Sequence, residues 1–320
     1  MKELLTILLC SIIFCLGCEN QNTKEKEIAN IEIDFQFDEF HTYFFNSNKN
    51  TLPVLKNKYP YLFSSDTTDE EWISKINDSE EKLLYTIADS LYGDLTIVKQ
   101  EIKSLYQHFK YYSPNFTPPK TITIINGLDY ENAIVYADSL LFISLDMYLG
   151  KNSEVYHSFP EYISNNYTKE RIKVDIAKKI ILKEFKYFRG RSFLESMIYF
   201  GKELYLLKKT IPNTRMYTIM GIDEQKYNWS VENESQIWKY FIANELLYST
   251  ESSLNNRFIN LAPFSKFYLE SDSDSPGSIG TWIGFKIVES YMQHNKTTLQ
   301  QMLALNAETI FKKSKYKPNK

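Results

Sequence analysis

Thr121-Ile122-Thr123-Ile124-Ile125, Ala133-Ile134-Val135-Tyr136 and Leu140-Leu141-Phe142-Ile143-Ser144-Leu145 are three short β-type runs set between long stretches of helical pattern. Branched and aromatic side chains favour such runs because they pack well on a pleated surface and lose rotamer freedom in a helix. Asn126-Gly127 and Ala137-Asp138-Ser139 separate the runs as turn residues, so a small meander is predicted over 121–145. On the N-terminal side, Glu70 to Tyr112 reads as helix, with Trp72, Ile76, Leu83-Leu84, Ile87, Leu91, Leu95, Val98, Ile102, Leu105 and Phe109 mostly at three- and four-residue steps. Gly93 bends or splits that helix, and Ser113-Pro114 with Pro118-Pro119 prevents its resumption. On the C-terminal side, Val174, Ala177, Ile181, Phe185 and Phe188 share a helix face from Lys169 onward, ended by Gly190 as a C-cap. Arg191–Leu207, Glu224–Leu247, Gly280–His294 and Leu299–Lys313 read as further helices. Helix, small sheet, then mostly helices is an α+β order, mostly α-helical with its sheet at about 121–145.

The first eighteen residues carry a different signal. After Met1-Lys2, the run Leu4–Leu16 is apolar except for Thr6 and Ser11. Such a run makes about 20 Å of helix, too short for a bilayer core of roughly 30 Å but suited to an export signal. It ends in Cys15-Leu16-Gly17-Cys18 and turns polar at once, which resembles the lipobox of bacterial lipoproteins. There Gly17 and Cys18 form the cleavage pair and the Cys18 thiol takes the lipid. Cys15 stands where leucine is usual in that pattern. The alternative is an ordinary signal peptide with incidental cysteines. All three cysteines, Cys10, Cys15 and Cys18, lie in this segment, so the body has no disulfide, thiolate metal site or cysteine nucleophile. Two or more acyl chains on one residue anchor firmly where one is marginal. With no acidic run after Cys18, a periplasm-facing lipoprotein is expected. The organisation expected is a signal at 1–17, a lipidated N-terminus and polar tether at 18–30, one globular domain at 31–313 and a basic tail at 314–320.

Composition narrows the classes of function. With 37 basic and 40 acidic residues the net charge is −3, which gives no electrostatic footprint for nucleic acid. The 24 tyrosines and 21 phenylalanines indicate a packed body in which many hydroxyls reach water. Catalytic signatures are scarce. His41, His108, His157 and His294 are scattered without a His-x-x-x-His pair, and Glu154-x-x-His157 lies outside any helical pattern. There is no Gly-x-Ser-x-Gly elbow, and Ser275-Pro276-Gly277-Ser278-Ile279-Gly280 lacks the lysine and spacing of a phosphate loop. Carboxylates remain: Glu270, Asp272 and Asp274 near Gly277 form either an acidic ligand loop or a solvated turn before a helix.

Several stretches together resemble the gliding-motility lipoprotein B (GldB) family of Bacteroidota. They include Tyr59-Pro60-Tyr61-Leu62-Phe63, Leu141-Phe142-Ile143-Ser144-Leu145-Asp146-Met147-Tyr148-Leu149-Gly150, Phe159-Pro160-Glu161-Tyr162-Ile163, Asn233-Glu234 with Trp238, Arg257-Phe258-Ile259, Ala262-Pro263-Phe264-Ser265-Lys266-Phe267 and Gly280-Thr281-Trp282-Ile283-Gly284. The resemblance implies an anchored envelope protein needed for gliding and tied to its secretion machinery, with other envelope proteins as partners. It implies no reaction. The family is distantly similar to zinc metallopeptidases with a His-Glu-x-x-His helix and a later glutamate, which implies a zincin-like scaffold. Here Ile172–Glu184 holds no histidine, and Phe200 falls where the later glutamate would align. Lysines cannot replace the ligands, having no lone pair when charged. A scaffold without metal, cofactor or catalysis is therefore expected. A ligand or partner groove is expected around Asn233, Glu234, Arg257, Lys266, Asp272, Gly277 and Trp282. Two alternatives stay open: a hydrolase with a carboxylate site around Glu234, Glu270 or Asp272, and a peptide- or glycan-binding module.

Overall fold

The computed structural model describes residues 16–184 and 190–319. The export signal as far as Cys15, the Cys18 side chain, and residues 185–189, with Phe185, Phe188 and the helix end expected just before Gly190, lie outside the described residues. Along the chain come α1 (Leu16–Ala29), β1 (Phe37–Asp38), α2 (Phe40–Phe45), α3 (Leu52–Lys58), α4 (Asp69–Asn77), α5 (Ser79–Tyr92) and α6 (Thr96–Tyr112). Then follow β2 (Lys120–Ile124), β3 (Ile134–Ala137), β4 (Leu140–Ser144), α7 (Glu161–Ser164), α8 (Lys169–Glu184), α9 (Phe193–Thr210) and α10 (Met216–Met220). The chain closes with α11 (Glu224–Glu232), α12 (Glu234–Ala243), α13 (Ser253–Phe258), α14 (Ile279–His294), α15 (Leu299–Ala304) and α16 (Ala307–Ser314). This is the mostly helical α+β architecture that the periodicity predicts.

The sheet is not the expected meander. Its strand order is β1-β2-β4-β3, with β2 parallel to β4 and only β3–β4 forming an antiparallel hairpin. Asn126-Gly127 does not close a hairpin because the loop is pinned elsewhere. The buried Asp146 carboxylate, just past β4, accepts the backbone N–H groups of Asn126 (3.1 Å) and Leu128 (2.8 Å). The chain leaves β2, forms the outer strand β3, turns at Asp138 (φ 49°) and returns as β4 into the gap. β1, only two residues long, pairs parallel with β2 and has no periodic signature to read. Alternation along the central strands sends Leu141 and Ile143 into the main core and Ile122 into a smaller aromatic core with Phe40, Phe44, Phe45 and Tyr59. His41 borders that smaller core, bonded to the Thr123 hydroxyl at 2.8 Å, and burial pulls its pKa down to about 4.

The helical stretch expected over 70–112 splits near Gly93, as expected there, and also at Asp78. Asp78 ends α4 and caps α5, its carboxylate accepting from Glu80 N and Glu81 N at 3.0 Å, while Gly93 (φ 55°) closes α5. Likewise Asn233 divides 224–247, and Leu305-Asn306 divides 299–313. Residues 18–30 and 314–319 are also more ordered than their polarity suggests. The stretch expected to be a tether, 18–30, is helical to Ala29 and docks on α6. Ile28 is buried there, Lys24 donates to the Tyr112 hydroxyl (2.8 Å), and Gln107 donates to the carbonyls of Ala29 and Ile31. The segment expected to be a basic tail is docked as well, as described below. Polar side chains carry much of these dockings, and hydropathy does not register them.

At the centre, α9 and α14 lie in near backbone contact. A Cβ added to Gly201 would sit 2.2 Å from the Gly284 carbonyl carbon, and one added to Gly284 would sit 1.8 Å from the Met197 carbonyl oxygen. Glycine is what permits this approach, and Met197, Ile283 and Trp282 seal the core around it.

Candidate functional site

α8 is buried on two sides, with Ile172, Val174, Ile176, Ala177, Ile180 and Ile181 inside the fold. Its remaining stripe, Arg171, Asp175 and Lys178 at i, i+4 and i+7, turns toward α9 and α10. Arg171 is fixed from three directions. Its Nη1 donates to the carbonyls of Thr218 (2.6 Å) and Ile219 (3.2 Å) at the end of α10, and its Nη2 pairs with Asp175 at 2.6 Å. Asp175 also accepts the Tyr148 hydroxyl at 3.1 Å. Removing either partner of this half-buried pair would strand the other charge.

Beside the pair lies a cavity of about 510 Å³, lined by Arg171 and Lys178 of α8, Phe200, Glu203 and Leu204 of α9, Tyr167, and the loops at 163–166 and 259–261. Lys178 and Glu203 bring opposite charges to its wall. Burial pulls the Lys178 ammonium below its usual range, and the nearby Arg171 adds to this, while Asp175 and Glu203 oppose it. Burial pushes the Glu203 carboxyl up, against the pull of Lys178. Neither group has a hydrogen-bond or ion-pair partner among the described residues. Two more polar atoms of lining residues, the Tyr167 hydroxyl and the Arg171 Nε, are buried and unpartnered. Among the described residues no three His, Cys, Asp or Glu side chains are grouped to hold a metal ion, and no helix is long and apolar enough to cross a membrane.

The residues expected to form a groove mostly do other work. Glu234 is 1% exposed, and its oxygens accept the Tyr316 hydroxyl (2.8 Å) and the Asn319 amide (3.0 Å), so the expected tail is a plug for a buried carboxylate. Trp282 is core. A Cβ on Gly277 would lie 2.1 Å from the Ala262 carbonyl oxygen, which makes that glycine a packing contact between two loops. Asp272 closes a turn by accepting from Tyr268 N (2.9 Å), and Arg257 donates to the Lys266 carbonyl (2.9 Å) and the Tyr240 hydroxyl (3.0 Å). The Lys266 side chain is exposed. Asn233 lines a pocket of about 390 Å³ with Tyr240, Phe267 and Leu269. Conversely, Tyr167, Lys178 and Glu203 carried no motif, because a polar stripe on a helix reads as a solvated face until other elements cover it.

Fold and site define a helix-rich α+β protein whose cavity is walled by Arg171, held in place by Asp175, and by two unpaired charges on largely apolar surroundings. The chain belongs to the gliding motility protein GldB family, whose model matches residues 21–318. No curated protein and no solved structure matches it significantly.

Proposed function

We propose that this protein is a cell-envelope lipoprotein, anchored through lipid on Cys18 and facing the periplasm, which serves gliding and the associated protein secretion by position and contact rather than by catalysis. Its partners on this reading are other envelope components of the gliding and secretion machinery, not nucleic acid, and it needs no cofactor. The observation that carries the reading is the helix facing the cavity. A metallopeptidase-like scaffold would present His-Glu-x-x-His on α8, and α8 turns Arg171 and Lys178 to the cavity instead, with Asp175 beside them held by Arg171. A charged arginine or lysine has no lone pair for a metal, and the one carboxylate of the three is already held by Arg171 and Tyr148. Phe200, where the later glutamate would align, lines the same cavity. Of the carboxylates that a hydrolase reading would use, Glu234 is engaged by Tyr316 and Asn319 and Asp272 by a backbone turn, while Glu270 is exposed on the surface.

A Cys18→Ala chain expressed in place of the native one tests the anchor. Normal amounts of protein with loss of colony spreading are expected. Full spreading from a Cys18→Ala chain that fractionates as soluble would overturn the reading.

A further inference from the structure

The cavity holds charges that the fold itself does not pair. Lys178 and Glu203 face it from two different helices, close enough to feel each other's charge, yet no hydrogen bond or ion pair joins either group to a described residue. Both side chains are half-buried, so each charge has lost part of its hydration without gaining a partner among the described residues, and unpaired charges of opposite sign on one cavity wall mark a candidate ligand site. Tyr167 and Arg171, each 7% exposed, add a hydroxyl and an Nε without partners in the same wall. The rest of the lining is largely apolar, with Ile163, Leu204, Met220 and Leu261. At about 510 Å³ the space falls within the roughly 300–1,000 Å³ of small-molecule sites.

We propose that this cavity binds a small zwitterion with an apolar side chain, its carboxylate on Lys178 and its ammonium on Glu203. Free aliphatic amino acids and short apolar peptides share this chemistry. Lys178 supplies up to three donors and no acceptor, and Glu203 supplies acceptors, so a ligand with both charges satisfies both groups where a simple anion or cation satisfies one. The Arg171–Asp175 pair is already closed and serves to position the wall. This inference goes beyond the proposed role in gliding, and it stands or fails by its own measurement.

Calorimetric titration of the full-length protein in detergent micelles tests it, with L-leucine, leucyl-leucine, N-acetyl-leucine and leucinamide as probes. Saturable binding of leucine or leucyl-leucine is expected, the tighter of the two separating the amino-acid source from the peptide source. The acetylated and amidated probes, each lacking one charge, should bind at least about tenfold more weakly. Lys178→Met and Glu203→Gln should each weaken the better probe by about tenfold or more while retaining the wild-type circular dichroism spectrum. Should one variant misfold, the other decides. Absence of heat from all four probes at about 10 mM, which would mean a water-filled cavity, overturns the proposal, as does equal binding by a folded variant.

Discussion

Replacing Gly284 by alanine should cost the fold about 3 kcal/mol or more, a larger effect than one methyl group usually has. The new Cβ would stand 1.8 Å from the carbonyl oxygen of Met197, and the atom in its way is helix backbone, which has no rotamer to change. α9 and α14 must therefore move apart by an ångström or so, and the contacts of Trp282, Ile283 and Met197 across them loosen together. Gly93→Ala is the natural contrast. That residue has φ 55° with nothing within 4 Å of an added Cβ, so only backbone strain of about 1–3 kcal/mol is expected. Urea denaturation of both variants should show a larger drop in midpoint for Gly284→Ala. Equal drops would mean that the helices are not in backbone contact.

Removal of the last residues should be nearly as costly. Glu234 is buried at the start of α12, and its carboxylate has just two side-chain donors among the described residues, Tyr316 and Asn319. Burial and the adjacent Glu234 charge push the Tyr316 hydroxyl far above the usual tyrosine range, so it stays protonated and donating. Tyr316→Phe leaves one carboxylate oxygen short of a donor, at about 1–3 kcal/mol. A chain ending at Lys315 loses both donors and should fall by about 3–5 kcal/mol, as for other stranded buried charges. Glu234→Gln should then rescue part of the truncated chain's stability by removing the charge. A truncated chain as stable as the native one would show that the last residues do not plug this site.

The same residue shows where sequence reading stops. Asn233-Glu234 stands out in sequence, but only the fold reveals that its carboxylate is consumed by the far C-terminus. The β-type runs at 121–145 were legible because alternation and branched side chains act locally. The parallel pairing of β2 with β4 was not, since it depends on a buried Asp146 reaching across to the loop after β2. Helix breaks at Asp78 and Asn233 hide inside continuous apolar periodicity, because the flanking helices bury faces that stay in phase. Asp272 and Gly277 look like a ligand loop for the very reason that they build turns: short acceptors and small residues serve both ends. Lys178 and Glu203, on different helices, become neighbours of one cavity only once α8 and α9 are packed.

Whether this body acts by contact or by chemistry is tested most directly by its zinc content. The full-length protein, purified in detergent and incubated with excess zinc before gel filtration, should retain far less than one ion per chain, since α8 offers arginine and lysine where ligands would stand. One tightly held zinc per chain, lost only to a chelator, would contradict the non-catalytic reading.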